Sequence, residues 1–339
     1  MKEWKGFMQG INLGGWLSQC IHTKEHYDSF INEKDLENIS RWNIDHVRLP
    51  VDYNLIETKN GEYIEDGFVY IEHCIEWCRK YNLNMILDLH KTYGFSFDEG
   101  EGENGFFANE ALQERFCRLW ENFATRFGKD SDMLAFELLN EVTDRSYCEI
   151  WNDIADKCIA RIRKITPEIK ILVGGYWNNA AAAVKDLRKP YDENVIYNFH
   201  CYEPLVFTHQ GAGWVKAMDR DFRCDSRCTE GEMKELTEKV FGAHFSPEGT
   251  FNDAYADEAF GKGFFVRMFT EAFEAAEKMG TMLYCGEYGV IEQADRNAAI
   301  HWYKAIHEAF REMGIGHAAW TYKKMDFDLN GHDMKCIFD

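Results

Sequence analysis

Basic residues are scarce in this 339-residue sequence: 38 lysines and arginines stand against 58 aspartates and glutamates, giving a formal net charge of −20. Such an acidic surface repels nucleic acid, anionic membranes and polyphosphates, so we expect a neutral ligand and no nucleic-acid or membrane partner. No apolar run approaches the ~20 residues of a membrane span. The N-terminus lacks the apolar segment of a signal peptide, which predicts a cytoplasmic protein.

Recognisable groups of metal ligands are also lacking. The 11 cysteines follow no repeated spacing, and Cys224 and Cys228 have no second pair that would complete a zinc site. An odd number of scattered cysteines is typical of free thiols in a reducing cytosol. Residues 326–331 match the opening of a calcium loop, but Ile337 stands where that loop needs a glutamate. We therefore expect no metal and no other cofactor.

No linker rich in proline, serine or glycine divides the chain, so we interpret residues 1–339 as one domain. Short apolar runs alternate with longer amphipathic stretches, which is the pattern of an α/β protein with a (β/α)8 TIM barrel. The predicted strands are 7–13, 45–51, 84–90, 133–141, 170–174, 195–202, 281–287 and 316–322. The clearest predicted helices are 68–81, 110–127, 148–165, 258–279 and 296–313. A doubly wound sheet is the alternative, but residues 10–14 do not fit its phosphate-binding glycine loop.

Two predicted connections are long, and both follow strands at the C-terminal face of a barrel, where active sites lie. Residues 91–109 follow strand 3, and residues 203–257 follow strand 6. Long loops at this face are typically binding loops or lids. The second loop carries five aromatic residues, of which Trp214 is our candidate for substrate contact: Phe207, Trp214, Phe245, Phe251 and Tyr255. After strand 8, residues 326–339 show no helical period, so an eighth helix is expected to be short, replaced or absent.

Two glutamates end predicted strands on opposite sides of the barrel mouth. Strand 4 ends in Asn140 and Glu141, and strand 7 ends in Glu287. A single glutamate at such a position is more often a cap or an ion-pair residue. Two at the same rim can face each other, and hydrolysis of a glycoside needs two facing carboxyls, one protonated and one ionised.

Other strand ends add a cation, hydrogen-bonding groups and a flat ring to this rim. These residues are Arg48, His90, His200, Tyr202 and Trp320. The charge of Arg48 could keep one glutamate ionised. His200 and Tyr202 could hydrogen-bond the pair and set which member stays protonated. Asn140 could hold a sugar 2-hydroxyl, and Trp320 could stack under the face of the sugar.

This set of rim residues resembles the cellulase-type glycoside hydrolases of family 5, which belong to the retaining (β/α)8 clan. The resemblance runs from about residue 7 to about residue 324. It implies that Glu141 is the acid/base and Glu287 the nucleophile. It also implies that Asn140 orients the substrate and that Trp320 forms the floor of the −1 subsite. The supporting residues it implies are Arg48, His90, His200 and Tyr202.

Two segments indicate a subgroup of that family. Residues 10–16 and 320–323 are similar to those of exo-acting β-1,3-glucanases and β-glucosidases. The resemblance thus implies retaining hydrolysis of β-glucans or gluco-oligosaccharides, and the missing leader favours imported oligosaccharides. An endo-cellulase or a β-mannanase is the alternative within the family. A non-catalytic carbohydrate-binding barrel is the alternative outside it, although a binding protein has no need of both glutamates.

Overall fold

The computed structural model describes residues 3–243 and 250–339. Eight parallel strands pair in chain order and close into a barrel, with the first strand beside the last. The strands are β1 Gln9–Asn12, β2 His46–Asp52, β3 Asn84–Lys91, β4 Leu134–Glu137, β5 Lys170–Gly174, β6 Val195–Cys201, β7 Leu283–Tyr288 and β8 Gly316–Ala319. The predicted TIM barrel is confirmed.

Helices surround this barrel and connect its strands. They are α1 Lys24–Phe30, α2 Glu33–Ile39, α3 Tyr53–Ile56, α4 Glu65–Lys80, α5 Glu110–Phe127, α6 Cys148–Arg163, the single turn α7 Tyr176–Asn179, α8 Leu205–Thr208, α9 Glu230–Phe241, α10 Lys262–Met279 and α11 Arg296–Met313. The bounds of α5 and α11 are those predicted from their amphipathic period. In the described part of the chain, no helix is long and apolar enough to cross a bilayer.

The barrel interior is apolar at one end and polar at the other. Side chains two residues apart on a strand point to the same face. On β3, the inward column runs from Ile86 to Asp88, and on β6 it runs from Ile196 to Asn198. The first member of each column belongs to an apolar cluster at the N-terminal end of the strands. Polar side chains therefore collect at the C-terminal ends.

Several predicted strand ends were wrong by a few residues. Strand 4 ends at Glu137 rather than Glu141, and strand 8 ends at Ala319 rather than at residue 322. Past the end of β4, one backbone bond still joins Asn140 N to Leu89 O over 3.1 Å. The next residue, Glu141, has a φ of 42°. The predicted strand ran to Glu141, and the left-handed backbone there ends the extended geometry.

The two predicted long loops are present, but the one after β6 is not structureless. It contains α8 and α9, and the capping box between Thr229 and Glu232 that begins α9 is readable in the sequence. Phe245, one of its predicted aromatic residues, lies outside the described residues. After β8, the described chain ends in a short 3-10 turn, Lys335–Phe338, which agrees with the expected short or replaced eighth helix.

Candidate active site

Arg48 lies at the centre of a hydrogen-bond network at the C-terminal end of the barrel. It is fully buried on β2, where it is the third residue and not the strand end that the sequence predicted. Its Nη1 donates to Glu287 Oε1 over 2.7 Å, and its Nε and Nη2 donate to the two oxygens of Glu137 over 2.6 and 2.8 Å. Nη2 also donates to Asn140 Oδ1 over 2.9 Å. One guanidinium thus fixes side chains from β4, the segment after it, and β7.

Acidic neighbours keep Arg48 charged. Its Nη2 lies 3.0 Å from Asp88 Oδ2, so three carboxylates surround one cation. Burial alone would lower the pKa of Arg48, but Asp88, Glu137 and Glu287 raise it well above its ordinary value. A buried cation is tolerated when carboxylates match it in this way.

Glu287 lies on β7 between a cation and a hydroxyl group. Its Oε1 accepts from Arg48, and its Oε2 accepts a hydrogen bond from Tyr202 Oη over 3.0 Å. Burial raises the pKa of this carboxyl, and the positive charge of Arg48 acts in the opposite direction. Direct contact with a permanent cation favours the ionised form, so we take Glu287 to be a carboxylate.

Glu141 has neutral hydrogen-bond partners instead. His200 Nδ1 lies 2.8 Å from its Oε1, and Asn178 Nδ2 donates to its Oε2 over 3.0 Å. Burial is the largest influence on its pKa and raises it, while the hydrogen bond from Asn178 opposes that rise. Of the two facing carboxyls, Glu141 is therefore the one better suited to carry a proton.

His200 connects the two glutamates. Its Nδ1 lies 2.8 Å from Glu141 and 3.7 Å from Glu287 Oε2. Burial lowers the pKa of His200 to about 4, so the ring is neutral near pH 7. Its Nε2 lies 3.4 Å from Asn179 Nδ2. Because an amide nitrogen donates, Nε2 accepts, and Nδ1 carries the hydrogen that is donated to Glu141.

His90, Asn140 and Trp320 border the same space. His90 Nδ1 pairs with Asp88 Oδ2 over 2.7 Å, and its ring lies parallel to Trp320 with centroids 5.6 Å apart. Within the described residues, His90 Nε2 and Asn140 Nδ2 are buried and have no hydrogen-bond partner. Unpaired buried polar atoms are costly, and they are expected where a polar ligand completes the site.

The ninth predicted site residue, Trp214, lies apart from this network. Its side chain is 51% exposed, and it contacts the ring of His209 edge-on at 6.1 Å. His209 in turn contacts the ring of Tyr202 at 5.3 Å. The structure thus brings eight of the predicted residues together and places Trp214 on the surface, two ring contacts from the network.

Sequence reasoning missed the polar residues behind and beside this set. They are Asn12, Asp88, Glu137, Asn178, Asn179 and Asn198. Asp88 and Glu137 had a readable signal, because each is a lone acidic residue inside an apolar strand, and a buried acid needs a partner such as Arg48. Asn178 had none, because its position depends on the unusual backbone of α7.

The same glutamates and His200 form the only group of three possible metal ligands within residues 3–243 and 250–339, with ligand atoms all within 4.8 Å of one another. Arg48 already supplies a positive charge to Glu287, which disfavours a second cation there. The 326–331 turn uses Asp328 differently, since its carboxylate accepts from the backbone N–H groups of Lys324 and Gly331. We assign a metal to neither place.

This arrangement suits the chemistry of glycosidic bonds. An oxygen of Glu141 lies within 4.8 Å of an oxygen of Glu287. Retaining glycosidases hold their two carboxyls about 5–5.5 Å apart, whereas inverting ones hold them about 6.5–9.5 Å apart to admit a water molecule. The two carboxyls lie at the C-terminal face of the barrel and have different hydrogen-bond partners. These are the features of a glycosidase.

Comparison with known proteins agrees with this class. The model of the family described as cellulase, glycosyl hydrolase family 5, matches residues 8–326. Cellodextrinase A of Ruminococcus flavefaciens is 46% identical over 324 residues, which are 96% of this chain and 88% of that protein. Endoglucanase C of Acetivibrio thermocellus is 38% identical over 337 residues, which are 98% of this chain and 95% of that protein. The chain belongs to glycosyl hydrolase family 5 and is an enzyme that hydrolyses glycosidic bonds.

Solved structures share the fold. Cellulose synthase subunit Z from Clostridioides difficile has a TM-score of 0.77 at 23% identity, covering 98% of this chain and 99% of that one. Endoglucanase Cel5A from Thermotoga maritima has a TM-score of 0.74 at 22% identity, covering 97% of this chain and 94% of that one. At this level of identity, the likeness extends to the barrel and not to the substrate.

Proposed function

We propose that this enzyme hydrolyses β-glucosidic bonds in gluco-oligosaccharides or β-glucans with retention of configuration, and that β-1,4-linked cellodextrins are its preferred substrates. The names of its relatives, a cellodextrinase and an endoglucanase, support the β-1,4 linkage and the endo-acting alternative. The exo-acting β-1,3-glucanase or β-glucosidase activity expected from residues 10–16 and 320–323 stays a prediction. So does the cytoplasmic location.

The division of roles rests on one observation: Arg48 and Tyr202 both donate to Glu287, whereas Glu141 is held by His200 and Asn178. A carboxylate beside a buried cation stays ionised and is available for attack on carbon. A buried carboxyl with only neutral partners retains its proton to a higher pH. Glu287 is therefore the nucleophile and Glu141 the acid/base.

The reaction takes two displacements. Glu287 attacks the anomeric carbon while Glu141 gives its proton to the glycosidic oxygen, and the C–O bond to the leaving sugar breaks. Bonding to carbon removes the negative charge of Glu287. The pKa of Glu141 then falls, because no neighbouring negative charge disfavours its ionisation. Glu141, now ionised, takes a proton from water as that water attacks the same carbon. The bond to Glu287 breaks, and both glutamates return to their starting states.

Three further residues would bind the sugar at the −1 subsite. The free Nδ2 of Asn140 suits the 2-hydroxyl group, and the free Nε2 of His90 suits another hydroxyl group. Trp320 offers an indole ring held parallel to His90, and aromatic faces stack against the apolar faces of sugars. We propose residues 1–339 as one catalytic domain that needs no cofactor.

Rescue by azide tests the roles of the glutamates. Glu141→Ala with azide, on a substrate with a good leaving group, should give the β-glycosyl azide, because the glycosyl-enzyme still forms and azide replaces water. Glu287→Ala with azide should give the α-azide by direct displacement. Product stereochemistry is read by NMR, and exchanged products would mean exchanged roles.

Product profiles on cello-, laminari- and manno-oligosaccharides then decide the linkage, exo against endo action, and the mannanase alternative.

A further inference from the structure

The α7 turn has an unusual backbone beside Glu141. Its last three residues, Trp177, Asn178 and Asn179, have φ values of 51°, 56° and 57°. Left-handed backbone is unfavourable for L-residues, and consecutive residues rarely adopt it. Strain of this kind persists where surrounding contacts hold it, and it concentrates at functional sites. We refer to these residues as the 177–179 turn.

Two neighbouring residues of the 177–179 turn hold the same glutamate from opposite sides. Asn178 Nδ2 donates to Glu141 Oε2 over 3.0 Å. Asn179 Nδ2 lies 3.4 Å from His200 Nε2, and His200 Nδ1 donates to Glu141 Oε1 over 2.8 Å. Each carboxyl oxygen of Glu141 is thereby fixed, one directly and one through the imidazole.

The backbone ties the turn to the segment that carries Glu141. Asn178 N donates to Val142 O over 3.0 Å. Glu141 itself has a left-handed φ of 42°. The two strained segments therefore support each other, and a movement of the turn would move the carboxyl.

The first residue of the turn presents a large aromatic surface. Trp177 is 45% exposed, and its ring lies near Tyr176 and the guanidinium of Arg145, at 5.1 and 5.8 Å. An exposed indole fixed by neighbours is suited to stacking against a sugar. In the proposed reaction, the leaving sugar receives its proton from Glu141, so that sugar departs on the side of the barrel where this turn lies.

We propose that the 177–179 turn is a leaving-group subsite, in which Trp177 stacks against the departing sugar while Asn178 and Asn179 position Glu141 to protonate the glycosidic oxygen. The inference rests on the proposed role of Glu141 as acid/base. Asn178 and Asn179 are positioning residues, since they act through Glu141. Binding of a sugar at Trp177 and delivery of the proton then depend on one short segment.

A pH profile separates positioning from a merely structural role. Asn178→Ala removes a donor that favours ionised Glu141, so the alkaline limb of kcat/KM should move to higher pH, and kcat on cellotetraose should fall roughly tenfold. Asn178→Asp should move the limb further. The other charged or titratable groups that face Glu141 stay the same in these variants: Arg48, Asp88, His90, His200, Tyr202 and Glu287.

The matched control is Asn122→Ala on the outer helix α5, where the side chain accepts a hydrogen bond from Arg126. This variant should leave the pH profile of kcat/KM unchanged. Circular dichroism confirms that each variant is folded. An unchanged alkaline limb in folded Asn178→Ala overturns the positioning role.

The second test concerns the leaving group. Trp177→Ala should lower kcat/KM for cellotetraose roughly three- to tenfold. The value of kcat/KM for 2,4-dinitrophenyl β-cellobioside should stay nearly unchanged, because the leaving group of that substrate is not a sugar. Trp177→Phe should restore part of the loss. Equal losses on both substrates would overturn the subsite. Failure of the wild-type enzyme on every β-glucoside would instead refute the proposed function, so the two failures are distinguishable.

Discussion

Arg48 donates a hydrogen bond to Glu287 over 2.7 Å, and the hydrogen bonds of Glu141 come instead from His200 and Asn178. Two glutamates within 4.8 Å of each other therefore have different environments. One contacts a buried cation, and the other contacts a neutral ring and an amide. The proposed acid and nucleophile follow from this difference, and so do the tests below.

Arg48→Lys should damage both catalysis and stability. A lysine ammonium cannot reproduce the paired bonds to Glu137 together with the bond to Glu287, because it lacks the planar guanidinium geometry. We expect kcat to fall at least ~100-fold and the free energy of unfolding to fall by about 3–5 kcal/mol, since buried carboxylates lose their partner. Enzyme assays and urea unfolding measure the two effects.

Arg126→Lys is the control for that substitution, because Arg126 pairs with the exposed Glu65 at the surface. Exposed ion pairs contribute about 1 kcal/mol at most, so this variant should behave like the wild-type enzyme. Near-normal activity in Arg48→Lys would contradict the role given to Arg48.

Trp214 remains a predicted aglycone contact of the loop after β6. If it binds sugar, Trp214→Ala should weaken cleavage of oligosaccharides more than cleavage of an aryl glucoside, by a few-fold for one exposed ring. Comparison of kcat/KM for the two substrates measures this. Equal effects would assign Trp214 a structural role through His209, whose ring it contacts.

Buried His307 should make folding stability depend on pH. Its Nδ1 donates to Ile337 O, and its Nε2 accepts from Tyr288 Oη. Burial lowers its pKa from 6.5 to about 4. The unfolded state therefore binds more protons between these values. The contribution of neutral His307 to the free energy of unfolding is complete above pH 6.5. Up to about 3 kcal/mol of it is lost as the pH falls toward 4.

The variant His307→Gln isolates this effect, because it can keep a hydrogen bond to Tyr288 but cannot take up a proton. It should lower stability at pH 7 by about 1 kcal/mol and make the decline between pH 6.5 and pH 4 shallower than in the wild-type protein. Urea unfolding at several pH values measures both slopes. Identical slopes would show that His307 does not titrate in this range.

Chelation and reduction should leave activity unchanged. The positive charge beside Glu287 comes from Arg48, and the 11 cysteines are unpaired in the structure. Assays with EDTA and with a thiol reductant check this directly. Loss of activity on chelation, restored by calcium, would make the turn at residues 326–331 a metal site after all.

Much of the fold was readable from the sequence because a closed parallel barrel has a strong pattern. Apolar runs mark strands buried on both faces, and amphipathic stretches mark the surrounding helices. The bounds of α5 and α11 came directly from this pattern. Strand ends such as Glu137 did not, because hydrophobicity continues past the point where the backbone leaves the sheet.

The candidate site was readable only in part, for a related reason. Residues at or just past strand ends converge at one rim, so Glu141 and Glu287 could be placed there from topology, although Glu141 lies beyond the end of β4. Arg48 lies inside β2, and its long side chain reaches the same rim. Asn178 could not, because three successive residues with left-handed backbone put it beside Glu141. Local sequence preference disfavours that conformation, and tertiary contacts impose it.

The most direct test of the central claim is to trap the glycosyl-enzyme. An activated 2-deoxy-2-fluoro β-cellobioside slows hydrolysis of the covalent intermediate, so that the intermediate accumulates on the nucleophile. Mass spectrometry of the digested protein should then find one added cellobiosyl group on the peptide that contains Glu287. Activity should fall in proportion to the fraction of protein that is labelled. A label on Glu141 or on any other residue would contradict the assignment on which the mechanism rests.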